Sequence, residues 1–163
     1  MRVRRAERED LVAIARLAYG ASIAAYGDLV DQTVPSASMA VEPPPELKRK
    51  LLSGSLLVCC EDDRVAGYAE YETLDDHLNV LGLGYRREAH NVAAALLRAL
   101  QNLHPQLPIS HEVVLGHLEH EQLHEAIGFV PGETVDADLG GHTVVARRWW
   151  FSPSSAGSPA AVG

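Results

Sequence analysis

Cysteine is nearly missing from this chain: Cys59 and Cys60 are the only two in 163 residues, and they are adjacent. Neighbouring side chains on a strand point to opposite faces, so this pair cannot clip distant segments together. A disulfide framework is excluded, and the two thiols read as packing residues in a reducing compartment. Positive charge is also scarce. Fourteen Lys and Arg against 22 Asp and Glu give a formal charge of -8. The arginines are scattered or paired rather than striped, which excludes the counterion-displacing surface of a nucleic-acid-binding protein. No apolar run approaches the ~20 residues of a spanning helix, and no basic-then-apolar leader opens the chain. The expectation is a cytoplasmic protein with neither membrane nor nucleic acid as a partner. No internal repeat is present. At 163 residues the chain fits one domain that can bury its core without disulfides or metal.

What is there is a regular succession of elements. "MRVRRA" reads as a strand, and the following segment carries Leu11, Ile14, Ala15, Ala18 and Ser22 at helical spacing. From Gly27 to Pro45 the pattern dissolves into a long loop, of the kind that tends to carry function. "ELKRKLLSG" then gives a short helix stopped by Gly54. "SLLVCCEDDRVAGYAEYET" predicts a hairpin turning at Glu61, Asp62 and Asp63, and "HLNVLGLG" a fourth strand. A helix follows in which Val92, Leu96, Ala99, Leu100 and Leu103 form one apolar stripe. "EVVLGHL" is read as a fifth strand, "EHEQLHEAI" as a helix ended by Gly128, and "FVPGETV" and "HTVVARRWWF" as two closing strands. The tail, residues 152–163, is low in complexity.

One stretch supports two readings. The first five letters of "HEQLHEAIGF" fit H-E-x-x-H, in which His120 and His124, one helical turn apart, bind zinc and Glu121 activates water. With His117 these histidines are spaced i, i+3, i+7, within about 60° of one another on a continuous helix. A catalytic zinc also needs a third protein ligand and an open position. The longer H-E-x-x-H-x-x-G-x-x-H form fails at Ile127 and Val130, which leaves Glu133, Asp136, Asp138 or His142 as third ligand. The plain alternative places the histidines at the edge of the core, satisfied by backbone or water.

The last seven letters resemble the helix-to-strand corner of the GNAT-type N-acetyltransferases, usually an L-Y-E-K-L-G-F-like string. "VRRAEREDLVAIARL" is similar to that family's first strand and helix, "LLVCCEDDRVAGYAEYE" to its hairpin, and "LGLGYRREAHNVAAALLRAL" to its cofactor segment. The order of elements is also that of the family, over roughly residues 1 to 151. The resemblance implies an α/β (α+β) GNAT-like fold. Its central sheet is mixed and mostly antiparallel, with about seven strands flanked by about four helices, in a single domain of residues 1–151.

The resemblance further implies acetyl-CoA as cosubstrate and transfer of its acetyl group to a small-molecule or peptide amine acceptor. The family's R/Q-x-x-G-x-G/A arm aligns with Glu88, Asn91 and Ala93, of which only Ala93 fits. Backbone amides of His90, Asn91, Val92, Ala93 and Ala94 would hold the pyrophosphate. An N–H near Leu83, where Gly82 and Gly84 suit a bulge or close ligand approach, would polarise the thioester. His117 falls where the family often has an Asn near the cofactor, and His124 where it has a Tyr that protonates the leaving thiolate. Glu70 and Glu72, sharing one strand face, are the candidates for general base. Two other functions stay open: a GNAT-fold protein that binds a ligand or partner without turnover, and a zinc hydrolase acting through residues 120–124. A homodimer is left open as a further partner.

Overall fold

A computed structural model describes residues 1–26, 45–86, 89–139 and 142–153. The long loop read between Gly27 and Pro45, most of the tail, and Glu88 of the cofactor arm lie outside the described residues.

Among the described residues, apolar alternation and helical stripes resolve into seven strands and four α-helices. In chain order they are β1 (Arg2–Arg5), a 3-10 turn (Arg8–Asp10), α1 (Leu11–Tyr26), α2 (Pro45–Ser53), β2 (Leu56–Glu61) and β3 (Arg64–Thr73). Then follow β4 (Leu78–Tyr85), α3 (His90–Leu103), β5 (Ile109–Val114), α4 (Leu118–Ile127), β6 (Val130–Leu139) and β7 (His142–Phe151). One seven-stranded sheet runs β1-β2-β3-β4-β5-β7-β6. Every pairing in it is antiparallel except that of β4 with β5. The mixed sheet with four helices is the expected architecture.

The helices cover the sheet on both faces. Leu11, Ile14 and Ala15 of α1 and Leu47 of α2 pack with Leu56, Val58, Cys60 and Tyr68. On the opposite face Val92, Ala93, Leu96, Leu97 and Leu100 of α3 and Leu123 of α4 pack with Cys59, Ala69, Tyr71 and Val113. Full burial of each large aliphatic side chain contributes roughly 1.5–3 kcal/mol before entropy is counted. Cys59 and Cys60 are both buried free thiols, one on each face, as strand geometry requires. The α3 stripe is rotated from its expected position: Leu97 is fully buried, whereas Leu103 at the last turn is 42 % exposed. No helix among the described residues is long and apolar enough to cross a membrane.

Local chemistry explains the turns. Asp62 and Asp63 hold φ of 48° and 59°, the positive values that a two-residue hairpin of right-handed twist demands. The main departures from the sequence reading are at the fifth and sixth strands. β5 begins at Ile109, three residues before "EVV", and β6 continues to Leu139 rather than stopping at Val135. The polar pair Ser110 and His111 hid the start of β5, because buried polar residues break the apolar pattern that marks a strand. Both are buried, with side-chain partners on other elements.

Gly84 owes its identity to packing. A Cβ there would overlap the ring of Tyr68, which lies over it, whereas a Cβ on Gly82 would make only ordinary contacts, the nearest at 3.6 Å. Gly84→Ala is therefore expected to lower the urea-unfolding free energy by ~1–3 kcal/mol, the usual cost of overpacking. Gly82→Ala should stay within about 0.5 kcal/mol of the parent. Equal effects of the two substitutions in the same unfolding experiment would contradict this packing.

Candidate functional site

The site is created by two strands that start together and part. β4 and β5 pair only through Leu78 with Ile109, Asn79 with Ser110, and Val80 with His111. Just beyond, β4 carries a bulge: Glu70 of β3 opposes Gly82 while Tyr71 opposes Val80, so Leu81 has no partner in the register. From there β4 follows β3 and β5 follows β7. A cavity of about 380 Å³ fills the gap. Its walls include β4 from Asn79 through Leu83, β5 from His111 through Val114, His120 of α4, and Ala18 of α1. Because α1 lies on one face of the sheet and α4 on the other, the cavity is bounded from both faces.

The opening lies at the carboxyl ends of two parallel strands, where α3 and α4 begin. α3 starts after Ala89 with no side-chain cap, so its first-turn N–H groups are not claimed by a side chain. Gly67 lets this end of the helix approach the sheet: a Cβ there would come within 2.5 Å of Val92 Cγ1. His90 at the start of α3 is joined to Glu119 in the first turn of α4 at 2.7 Å. Tyr85 packs beneath, stacked on His120 with ring centroids 5.6 Å apart, its hydroxyl buried without a hydrogen-bond partner. Burial, and after it the charge of Glu119, pushes that phenol up to about 12.

The histidines separate into distinct environments. His117 lies outside the helix as its N-cap, with φ -82° and ψ 70°, its Nδ1 accepting from the His120 N–H at 3.4 Å. The expectation of three histidines on one continuous helical face is thereby corrected. His120 lines the cavity, and its pKa falls to about 4, through burial first and then through His117 and His124. His124 has 0 % exposure. It is enclosed by Phe129 at 5.1 Å and Trp149 at 5.8 Å between ring centroids. The "GF" of the corner builds this enclosure. Gly128 supplies the left-handed φ of 99° that ends α4, and the Phe129 N–H closes on the His124 carbonyl at 2.9 Å.

His111, which the sequence reading passed over, is the partner of His124. Its Nδ1 lies 2.7 Å from His124 Nε2, and His124 Nδ1 lies 2.7 Å from the His120 carbonyl oxygen. Burial lowers the pKa of both imidazoles, so both are neutral at pH 7. A carbonyl can only accept, which places the single proton of His124 on Nδ1 and makes its Nε2 an acceptor. His111 therefore donates through Nδ1 and keeps a lone pair on Nε2. His111 also lines the cavity and is 7 % exposed. The available signal was parity: Ile109, His111 and Val113 alternate on the core-facing side of β5, where a histidine is out of place without a partner.

Of the other residues singled out in the sequence, Leu83 lines the cavity. Val92 and Ala93 are fully buried at the start of α3, while His90 and Asn91 are exposed there and Ala94 is half-buried. Glu70 is not a wall residue and is ion-paired with Lys50 at 3.2 Å. Glu72 accepts from Asn79 Nδ2 at 3.0 Å, and Asn79 Oδ1 accepts from Ser110 at 3.0 Å. Asn79 carries that chain into the cavity wall. His124 does not reach the cavity: a ring without exposed surface cannot itself hand a proton to a thiolate there. The wall also holds Tyr68 and Glu112, which the sequence reading did not assign to the site, and Asp138, which it named only as a candidate third zinc ligand. Glu112 is bridged to Arg148 at 2.7 Å.

No family model matches this sequence, and no curated protein does. Solved structures do match in shape. A ribosomal-protein-alanine N-acetyltransferase from Brucella melitensis superposes with a TM-score of 0.69 at 16 % identity, over 93 % of this chain and 99 % of that one. A GNAT-family acetyltransferase from Streptococcus agalactiae gives 0.69 at 17 % identity, over 93 % and 94 %. A putative acetyltransferase from Salmonella typhimurium, solved with its cofactor acetyl-CoA, gives 0.66 at 18 % identity, over 99 % and 98 %. The chain has the fold of the GNAT acetyltransferases.

Proposed function

We propose that this protein is an acetyl-CoA-dependent N-acetyltransferase that passes an acetyl group to a small-molecule or peptide amine by direct attack in one ternary complex. The observation that carries the reading is the parting of β4 from β5 at the Leu81 bulge, which opens a cavity whose wall residue His120 is joined through Tyr85 to His90 at the uncapped start of α3. Acetyl-CoA supplies the activated acetyl thioester; this chain supplies its placement. The amides of His90, Asn91, Val92, Ala93 and Ala94, at the positive end of the α3 dipole, suit the pyrophosphate. Beyond the bulge, β4 offers unpaired backbone groups to an extended ligand, and an N–H near Leu83 is the donor for the developing oxyanion. His117, at the start of α4, borders the thiol end. Asn79, braced by Glu72 and Ser110, gives the acceptor a fixed polar contact. Glu70, held by Lys50, stands in register opposite Gly82 of the wall.

A GNAT-fold binding protein without turnover would use the same cavity, and Asn91 in place of a glycine favours it; acetyl transfer to an added amine distinguishes the two. The zinc reading finds less support. The side chains of "HEQLH" part company: His120 lines the cavity, Glu121 lies in a separate groove with Leu115 and Trp149, and His124 spends both nitrogens on hydrogen bonds. Among the described residues no group of three His, Cys, Asp or Glu side chains is placed to hold a metal ion.

Calorimetry should detect acetyl-CoA binding with a Kd of about 1 mM or tighter, equivalent to at least about -4 kcal/mol. Asn91→Glu is the informative variant, because a carboxylate in the first turn stabilises a helix but repels a pyrophosphate held there. Its affinity should fall about tenfold, some 1.4 kcal/mol, while its melting temperature holds or rises. Unchanged affinity would place the phosphates elsewhere. Elemental analysis should find no stoichiometric zinc, and a chelator should leave the melting temperature unchanged. One zinc per chain, lost in His120→Ala, would make "HEQLH" the active site instead.

A further inference from the structure

β5 places a histidine where its parity calls for an apolar residue, and the enclosure of His124 exists around the bond between them. His111 is held at Nδ1 by a buried acceptor, and that acceptor is anchored in turn on the backbone of α4. The remaining nitrogen of His111, Nε2, makes no hydrogen bond among the described residues and belongs to a side chain of the cavity wall. We propose that His111 is the catalytic proton acceptor of this cavity, and that His124 is the positioning residue that keeps its free Nε2 aimed at the acceptor amine. The proposal rests on the acetyl-transfer reading and places the base at His111 rather than at Glu70 or Glu72, which are engaged by Lys50 and Asn79.

The neutral amine nitrogen bonds to the thioester carbonyl carbon, the C–S bond breaks, and the sulfur leaves as thiolate. His111 Nε2 takes the proton that the nitrogen sheds, directly or through one water. The imidazolium so formed passes that proton to the thiolate, which leaves an amide, the free thiol and neutral His111. His124 serves both stages. Its Nε2 accepts from His111 Nδ1 in either protonation state, so the ring does not turn over between accepting and giving the proton.

Around His111 the ionisable groups are His120 and His124 of α4, Tyr68 of β3, Glu112 on β5 and Asp138 on β6. The stretch of β4 in the wall contributes none, and Trp149 is its β7 neighbour. Burial, followed by the nearby His124 and His120, lowers the His111 pKa well below the usual imidazole value. The neutral, proton-accepting form is therefore present throughout the physiological range and is lost only in acid. The alkaline rise in rate then belongs to the amine, which must be neutral to attack.

Two measurements on the full chain test this. In protein labelled with 15N in its imidazoles, His111 and His124 should both be neutral at pH 7 with the proton on Nδ1, and acetyl-CoA should shift the His111 Nε2 resonance. A proton on Nε2 of His111, or an imidazolium at pH 7, overturns the proposal. Thiol release from acetyl-CoA should then be followed with spermidine, with lysine, with an alanine-initiated peptide and with water alone. His111→Gln should lower kcat by about 10²-fold or more without weakening acetyl-CoA binding. His124→Phe should lower kcat by about tenfold at unchanged KM for acetyl-CoA, and His124→Gln, which can still accept from Nδ1, should restore most of it. Unaltered kcat in His111→Gln overturns the catalytic role, as does a wild-type protein that binds acetyl-CoA yet releases no thiol with any acceptor. A protein whose histidine resonances ignore acetyl-CoA fails the acetyl-transfer reading itself, and the proposal with it.

Discussion

Two parallel strands that stay in register for only three residue pairs leave the rest of their facing backbone groups without a sheet partner. Buried N–H and C=O groups without partners are costly, so a sheet does not open in its middle unless something else uses the gap. Here the gap is held open by geometry on both sides. The bulge at Leu81 turns β4 onto β3, and β5 is carried away by its antiparallel pairing with β7 from Ile109 to Val114. The start of α3, the first turn of α4 and the histidines are arranged around that separation.

The same constraint explains why polar side chains gather at the root of the opening. Where the strands still touch, Ser110, Asn79 and Glu72 form a chain across β5, β4 and β3. It ties the three strands together just before two of them part. One residue further along β5 points to the other face and meets His124. A buried imidazole is tolerated only when its hydrogen bonds are met, and His124 has both of its nitrogens engaged. Phe129 and Trp149 then fix the ring in place. The rigid corner at Gly128 and Phe129 and the histidine pair are thus one construction: the turn that ends α4 also encloses the group that orients His111.

Much of the fold was legible because it depends on local pattern. The stripe of α1, the acidic turn between β2 and β3, and Gly128 at the end of α4 each carry their cause within a few residues. The corner "LHEAIGF" also pointed to the fold that shape comparison found. The site was less legible because its causes are not local. His111 and its partner are separated by 13 positions, and Ser110 and Asn79 by 31. Nothing next to Ser110 or His111 announces that a partner will arrive, so the beginning of β5 read as loop and its inward histidine went unnoticed. His124 drew attention through a motif and proved to be a core residue. Of the two glycines of β4, Gly82 adjoins the bulge that the sequence suggested, while Gly84 makes room for the ring of Tyr68.

The central claim is that the parted ends of β4 and β5 receive a coenzyme A thioester. Residue-resolved amide hydrogen exchange, with and without saturating acetyl-CoA, addresses it most directly, because it reports on backbone N–H groups one at a time. The account predicts slowed exchange at residues 81–84, beyond the bulge, and at residues 90–94 in the first turn of α3. The β1–β2 pairing, remote from the opening, should exchange at an unchanged rate. Protection confined to other segments, or none at all in a protein saturated with ligand, would contradict it.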